Sequence, residues 1–161
     1  MQNYDNNSIY YRNYKCVRKM DKRKFNFWQD HSINYLEMAF CDVKRETIKN
    51  PDGYGKKRIE CGDAIEFFLI VQNGFLDFVS FNIKGCLHTT ACANTVAHMA
   101  EGQKIEKAWD ITPEKVFNYL ETLPVEEMYC AELAVSALYK ALCGVKKKQV
   151  KSIRKNIIKK I

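Results

Sequence analysis

A chain of 161 residues with 47% hydrophobic and 12% aromatic content can bury roughly 70% of its unfolded surface in one domain, which excludes a disordered chain and removes any need for disulfide staples. The net charge of +7 is uneven, with +5 on residues 1–60, −6 on 61–145 and +8 on 146–161; basicity confined to the ends argues against nucleic-acid binding through a folded core. No apolar run approaches the roughly 20 residues of a membrane span, and no apolar stretch marks a secretion signal. The expected location is therefore the cytoplasm, where seven cysteines, an odd number, read as reduced thiols available to metal or catalysis.

Residues 1–31 are rich in Asn, Tyr and Lys/Arg without periodicity and read as a flexible basic leader. Ser32 can cap a helix in which Ile33, Leu36, Phe40 and Val43 recur at helical spacing, and Asn50-Pro51 ends it. Pro51 to Gly55 reads as a turn-rich link, and Gly53 and Gly55 form no phosphate loop because no Lys-Ser/Thr pair follows them. A short strand is expected over Lys57 to Glu60 and a second over 64–71. Gln72-Asn73-Gly74 then turns the chain into a third over 75–83, where Val79, Phe81 and Ile83 alternate with Ser80 and Asn82.

A helix over about 88–101 sets Ala91, Cys92, Thr95, Val96 and Met99 on one side. Another at about 113–121 has Thr112 as its cap and Pro113 at its first position. The last core helix, about 127–143, would bury Met128, Ala131, Val135, Leu138 and Leu142 and stop at Gly144. Beyond it, Val150, Ile153, Ile157 and Ile161 outline a short basic amphipathic helix. The fold class is α/β of the α+β kind, a small antiparallel sheet of about three strands covered by helices. The expected organisation is a leader over 1–31, one domain over 32–145 and a basic tail over 146–161.

Chemistry concentrates in Cys61-Gly62-Asp63, Gly85-Cys86 and Tyr129-Cys130, each at the start or end of an expected element. Thiolates are soft ligands for zinc or iron–sulfur clusters, and one carboxylate would complete a four-ligand set. The gaps of 25 and 44 residues between the cysteines match no zinc-finger or ferredoxin spacing. Cys86 just before a helix and Cys130 in the first turn of another should both gain thiolate character from the helix dipole. Taken singly, each cysteine is as well explained as a small buried hydrophobe. Cys41, Cys92 and Cys143 are assigned to the core, and Cys16 to the leader. His88, two residues after Cys86, reads as a polar first-turn residue, and His31 and His98 as structural or exposed.

In that context the stretch from about Ile33 to Gly144 resembles the NifU/IscU-type iron–sulfur cluster assembly scaffolds. The resemblance implies a scaffold and not an enzyme. On it a labile cluster, 2Fe-2S by expectation, would be built from Fe2+ and sulfur handed over as a persulfide by a cysteine desulfurase, then passed to apo iron–sulfur acceptor proteins. By motif position it assigns Cys61, Asp63, Cys86 and Cys130 as ligands, with Cys130 the persulfide acceptor; Zn2+ suits the same site. A cluster held between two subunits would make the protein a homodimer. No membrane or nucleic-acid partner is implied.

Two departures from the family pattern stand out. Tyr129 occupies the position of a usual His, as a weak ligand, a lid or packing. Leu123-Pro124-Val125-Glu126-Glu127 replaces the Leu-Pro-Pro-Val-Lys segment that engages an Hsp70-type chaperone in many members, and Glu127 thereby brings a carboxylate as an alternative iron ligand. Two other readings stay open: a zinc-binding structural member of the same fold, and an interaction module acting through its basic tail.

Overall fold

The computed structural model describes residues 26–60 and 62–158, apart from the side chains of 146, 147 and 149–158. Strands β1 (Gly53–Arg58), β2 (Ala64–Gln72) and β3 (Phe75–Lys84) form one antiparallel sheet in the order β1-β2-β3. Asn73 and Gly74, at φ 51° and 82°, make the tight turn between β2 and β3, as their sequence foretells. Alternation aims Ile65, Phe67 and Leu69 of β2 and Val79, Phe81 and Ile83 of β3 to the inner face, and all six are buried. Each such side chain contributes roughly 1.5–3 kcal/mol of apolar burial.

Among the described residues the helices are α1 (Phe27–Asp30), α2 (Ile33–Phe40), α3 (Leu87–Ala100), α4 (Ile105–Ala108), α5 (Pro113–Leu120) and α6 (Met128–Ile158), with a 3-10 turn over Val125–Glu127 leading into α6. Ser32 and Thr112 cap α2 and α5 by accepting from the backbone N–H groups of Tyr35 and Lys115. Alanines at 91, 93, 97 and 100 bury α3 on most sides, while α6 lies across β1 and β2 with Leu133, Leu138, Ala141 and Leu142 inward. The α+β architecture expected from the sequence is the one observed.

Several local expectations are corrected. Helix α2 stops at Phe40, and it buries Tyr35 and Ala39, leaving Ile33, Phe40 and Val43 at 74%, 53% and 77% exposure. The chain beyond it is needed at the edge of the sheet, where Phe81 N–H donates to the Lys44 carbonyl and Arg45 bridges to Phe81. Strand β1 begins at Gly53, inside the stretch read as a link. A Cβ on Gly55 would overlap the Ala137 carbonyl oxygen and the Ala141 nitrogen of α6, so only glycine lets helix and strand meet backbone to backbone. Gly144 packs against the Tyr54 backbone and does not end α6, which runs on unbroken through what was expected to be a separate tail helix.

Cys92 is buried as expected, whereas Cys41 is half-buried and Cys143 exposed. Residues 27–30, assigned to the leader, form α1; Trp28 stacks on Phe40 with centroids 5.6 Å apart, and Phe27 meets His31 and Tyr35 edge-on. Residues 1–25, with Cys16, lie outside the described residues. Over Val125–Val145 the mean hydropathy reaches 1.3, enough by length and composition to cross a membrane, a property that the search for unbroken apolar runs missed; 56% of that stretch is buried inside the domain.

Candidate metal centre

The register of the sheet builds the site. Ala64, the first residue of β2, pairs with Lys84, the last of β3, so Asp63 and Gly85 leave the sheet side by side. Gly62, at φ 101°, turns the chain so that Ile59 N–H donates to the Asp63 carbonyl and closes the turn. A Cβ on Gly85 would stand 3.0 Å from Asp63 Oδ2 and from Thr89 Cβ, so the glycine leaves room for the carboxylate. Cys86 follows as the N-cap residue of α3, and Cys130 arrives from the first turn of α6.

One buried hydroxyl joins these elements. Thr89 Oγ1 donates to Asp63 Oδ2 at 2.8 Å, and lies 3.3 Å from Cys86 Sγ and 3.4 Å from Cys130 Sγ. Cys86 and Cys130 share their corner with Glu127: the two sulfurs and a Glu127 oxygen all lie within 4.8 Å of one another, and the Cys130 thiol reaches Glu127 Oε2 at 3.6 Å. Cys86 is exposed and Cys130 buried, so the pair has an open side and a floor. Of the four residues assigned from the sequence, the structure brings Asp63, Cys86 and Cys130 together around Thr89; Cys61 lies outside the described residues.

Electrostatics correct the expectation of a dipole-stabilised thiolate at Cys130. Burial pushes this thiol up to about 12, and the neighbouring Cys86 and Glu127 act in the same direction, outweighing the helix start. The Glu127 carboxylate, then burial and the Cys130 sulfur, hold the Tyr129 phenol protonated, above its ordinary range. Tyr129 is exposed at 39%, beside this acid.

A second polar row backs the thiols. The Tyr35 hydroxyl bonds His88 Nδ1 at 2.6 Å, and His31 stacks on the Tyr35 ring at 4.1 Å between centroids. Burial raises Tyr35, with Cys92, Cys86 and Cys130 adding to it, and burial lowers both His88 and His31. His88 is the polar first-turn residue expected, and it is also half-buried against Tyr35. Its partner Tyr35 was missed because the buried face of α2 was assigned to Ile33, Leu36, Phe40 and Val43, away from it. Thr89 was also missed, because its partners Asp63 and Cys130 lie 26 and 41 residues away in the chain. His98 is exposed and rests against Tyr119, as expected.

Residues 46–152 match the NifU-like N terminal domain. The chain is 32% identical over 96 residues to the iron–sulfur cluster assembly scaffold protein IscU 1 of Archaeoglobus fulgidus, covering 59% of this chain and 63% of that protein. It is 26% identical over 123 residues to the nitrogen fixation protein NifU of Nostoc sp., covering 70% of this chain and 41% of that one. The chain thus spans less than two thirds of the length of the relatives it matches. In three dimensions it superposes on the crystal structure of a nitrogen-fixing NifU-like protein (N-terminal) from Brucella abortus with a TM-score of 0.61 at 14% identity, covering 73% of this chain and 94% of the other, a likeness of fold.

Proposed function

Because the chain belongs to the NifU-like N-terminal domain family, we propose that it is a scaffold on which an iron–sulfur cluster is assembled and from which it is handed on, with Cys61, Asp63, Cys86 and Cys130 as the ligands that hold this cargo. The observation that carries the reading is the meeting of Asp63, Cys86 and Cys130, from three separate parts of the chain, on the single Thr89 hydroxyl. Two thiols and a carboxylate gathered before any metal arrives are an arrangement suited to iron or zinc. The carboxylate oxygen is the harder donor and binds iron less firmly than sulfur does, which suits a cluster that must leave.

Sulfur delivery follows from thiol chemistry. A Cys130 thiolate attacks the outer sulfur of a donor persulfide, the new S–S bond forms on Cys130, and the donor departs as a thiolate. Cys130 is buried and protonated at neutral pH, so this step requires the first turn of α6 to open, or exposed Cys86 to take the sulfur first and relay it. A cysteine desulfurase is the donor proposed, and apo iron–sulfur proteins are the acceptors.

Anaerobic reconstitution with iron, sulfide and a desulfurase tests the proposal on the wild type beside Cys61→Ser, Cys86→Ser and Cys130→Ser, followed by transfer to an apo-ferredoxin. A coloured product that activates the ferredoxin, and is lost in the variants, is expected. A colourless protein holding one zinc ion would replace this reading with a structural zinc site.

A further inference from the structure

We propose that Cys86, Glu127 and Cys130 form by themselves the site at which a single divalent ion, Fe2+ or Zn2+, is first captured, before Asp63 takes part. The inference rests on the scaffold reading and specifies its first step. The three ligand atoms already lie within 4.8 Å of one another, and the group gathered within that distance does not include Asp63. Asp63 Oδ2 is occupied instead as the acceptor of the Thr89 hydroxyl at 2.8 Å.

The geometry needs little change to close. Metal–sulfur bonds of about 2.3 Å in a tetrahedral arrangement set the two sulfurs roughly 3.8 Å apart. A contraction of at most about 1 Å, within reach of a side-chain rotation at exposed Cys86, is enough. Two thiolates and one carboxylate then surround the ion, with the fourth position open to water. An open fourth position is what a site needs if sulfide and a second iron are to follow.

Glu127 suits this role by position as well as charge. It ends the 3-10 turn one step before α6, three residues from Cys130, so carboxylate and sulfur share one side of the helix start. Its location at the half-buried mouth, beside exposed Cys86 and over buried Cys130, places it where an incoming hydrated cation is first met.

The test uses the full chain stripped of metal by a chelator. Co2+ serves as the spectroscopic probe, and Zn2+ affinity is read by competition with a chromophoric chelator. Glu127→Gln is expected to weaken Zn2+ by more than about tenfold and to alter the Co2+ ligand-field bands while the two-thiolate charge-transfer band remains. Asp63→Asn is expected to bind one equivalent with near wild-type affinity, and Glu127→Asp to recover part of what Glu127→Gln loses. Wild-type affinity and spectrum in Glu127→Gln would overturn the proposal, as would an equal loss in Asp63→Asn. If the wild type forms a transferable cluster while Glu127→Gln captures metal normally, this inference fails alone. If the wild type forms no cluster yet Glu127→Gln loses its single ion, the scaffold reading fails and the capture site stands.

Discussion

Thr89 spends its only hydroxyl proton on Asp63, 2.8 Å away, and so faces the sulfurs of Cys86 and Cys130 with lone pairs alone. A hydroxyl has one donor and two acceptor positions, so each sulfur can meet it only as an S–H donor. The Cys86 thiol has this oxygen as its acceptor, while the single proton of the Cys130 thiol is shared between it and Glu127 Oε2, 3.6 Å away. Thr89→Val keeps the shape and removes the hydroxyl; Zn2+ affinity is expected to fall roughly 10–100-fold, and Thr89→Ser to retain most of it. Competition titration reads the effect, and equal affinities for Thr89→Val and wild type would dismiss the hydroxyl as an organiser.

Asp63 supplies the one oxygen among the proposed cluster ligands. Asp63→Ala is expected to lengthen the lifetime of a reconstituted cluster and to slow its transfer to an apo-ferredoxin, because the weakest hold on iron is also the exit. Decay of visible absorbance and the rate of ferredoxin maturation measure the two effects. Faster transfer by this variant would show that the carboxylate retains the cluster.

Alkaline pH should loosen the fold through Cys130. Burial holds its thiol at about 12, whereas an unfolded cysteine releases its proton near the ordinary 9, so above pH 9 the folded state binds the extra proton. The stabilisation is complete below pH 9 and declines as pH rises toward 12, by up to about 4 kcal/mol. Urea unfolding of wild type and Cys130→Ala at pH 8 and 10.5 should show the alkaline loss shrinking in the variant. The same proton must leave when metal enters, so Zn2+ affinity should climb about tenfold per pH unit for this thiol below neutrality.

Acid acts through the other polar row. Burial lowers His31 and His88, and His88 adds to the effect on His31. Unfolded histidines take up protons near 6.5 while the folded ones resist, so this stability is complete above pH 6.5 and is lost as pH falls below it. His88→Gln, which keeps an acceptor for the Tyr35 hydroxyl, is expected to reduce the loss between pH 6.5 and 5, measured as the shift in urea midpoint.

Gly55→Ala should be the most damaging single methyl in the sheet. The added Cβ meets backbone atoms of α6 at Ala137 and Ala141, which cannot rotate aside, so a loss of roughly 1–3 kcal/mol or more is expected. Gly74→Ala meets open space and suffers only its positive φ, about 1 kcal/mol. Urea denaturation ranks the two.

What could be read from the sequence was whatever a few neighbouring residues decide. The Asn73-Gly74 hairpin and the Ser32 and Thr112 caps were legible because each is settled within four residues. Strand β1 was expected only over Lys57 to Glu60; its start at Gly53 was not legible, because its glycines make sense only against a helix segment more than 80 residues further on. The acidity of Cys130 was misjudged for the same reason: the helix start is local, while the burial that outweighs it comes from the assembled core. Asp63, Cys86 and Cys130 were found by their motifs, yet Thr89 carried no motif of its own, and Glu127 entered only as an alternative carboxylate where the family pattern has lysine.

Helix α6 continues through Gly144 to Ile158, so Cys130 and the lysine-rich terminus ride on one rod. At 1.5 Å per residue the far end lies some 40 Å from that sulfur. Anything that gripped the cationic end would stand too distant to shade the thiols, so the two tips of the rod are open to separate encounters.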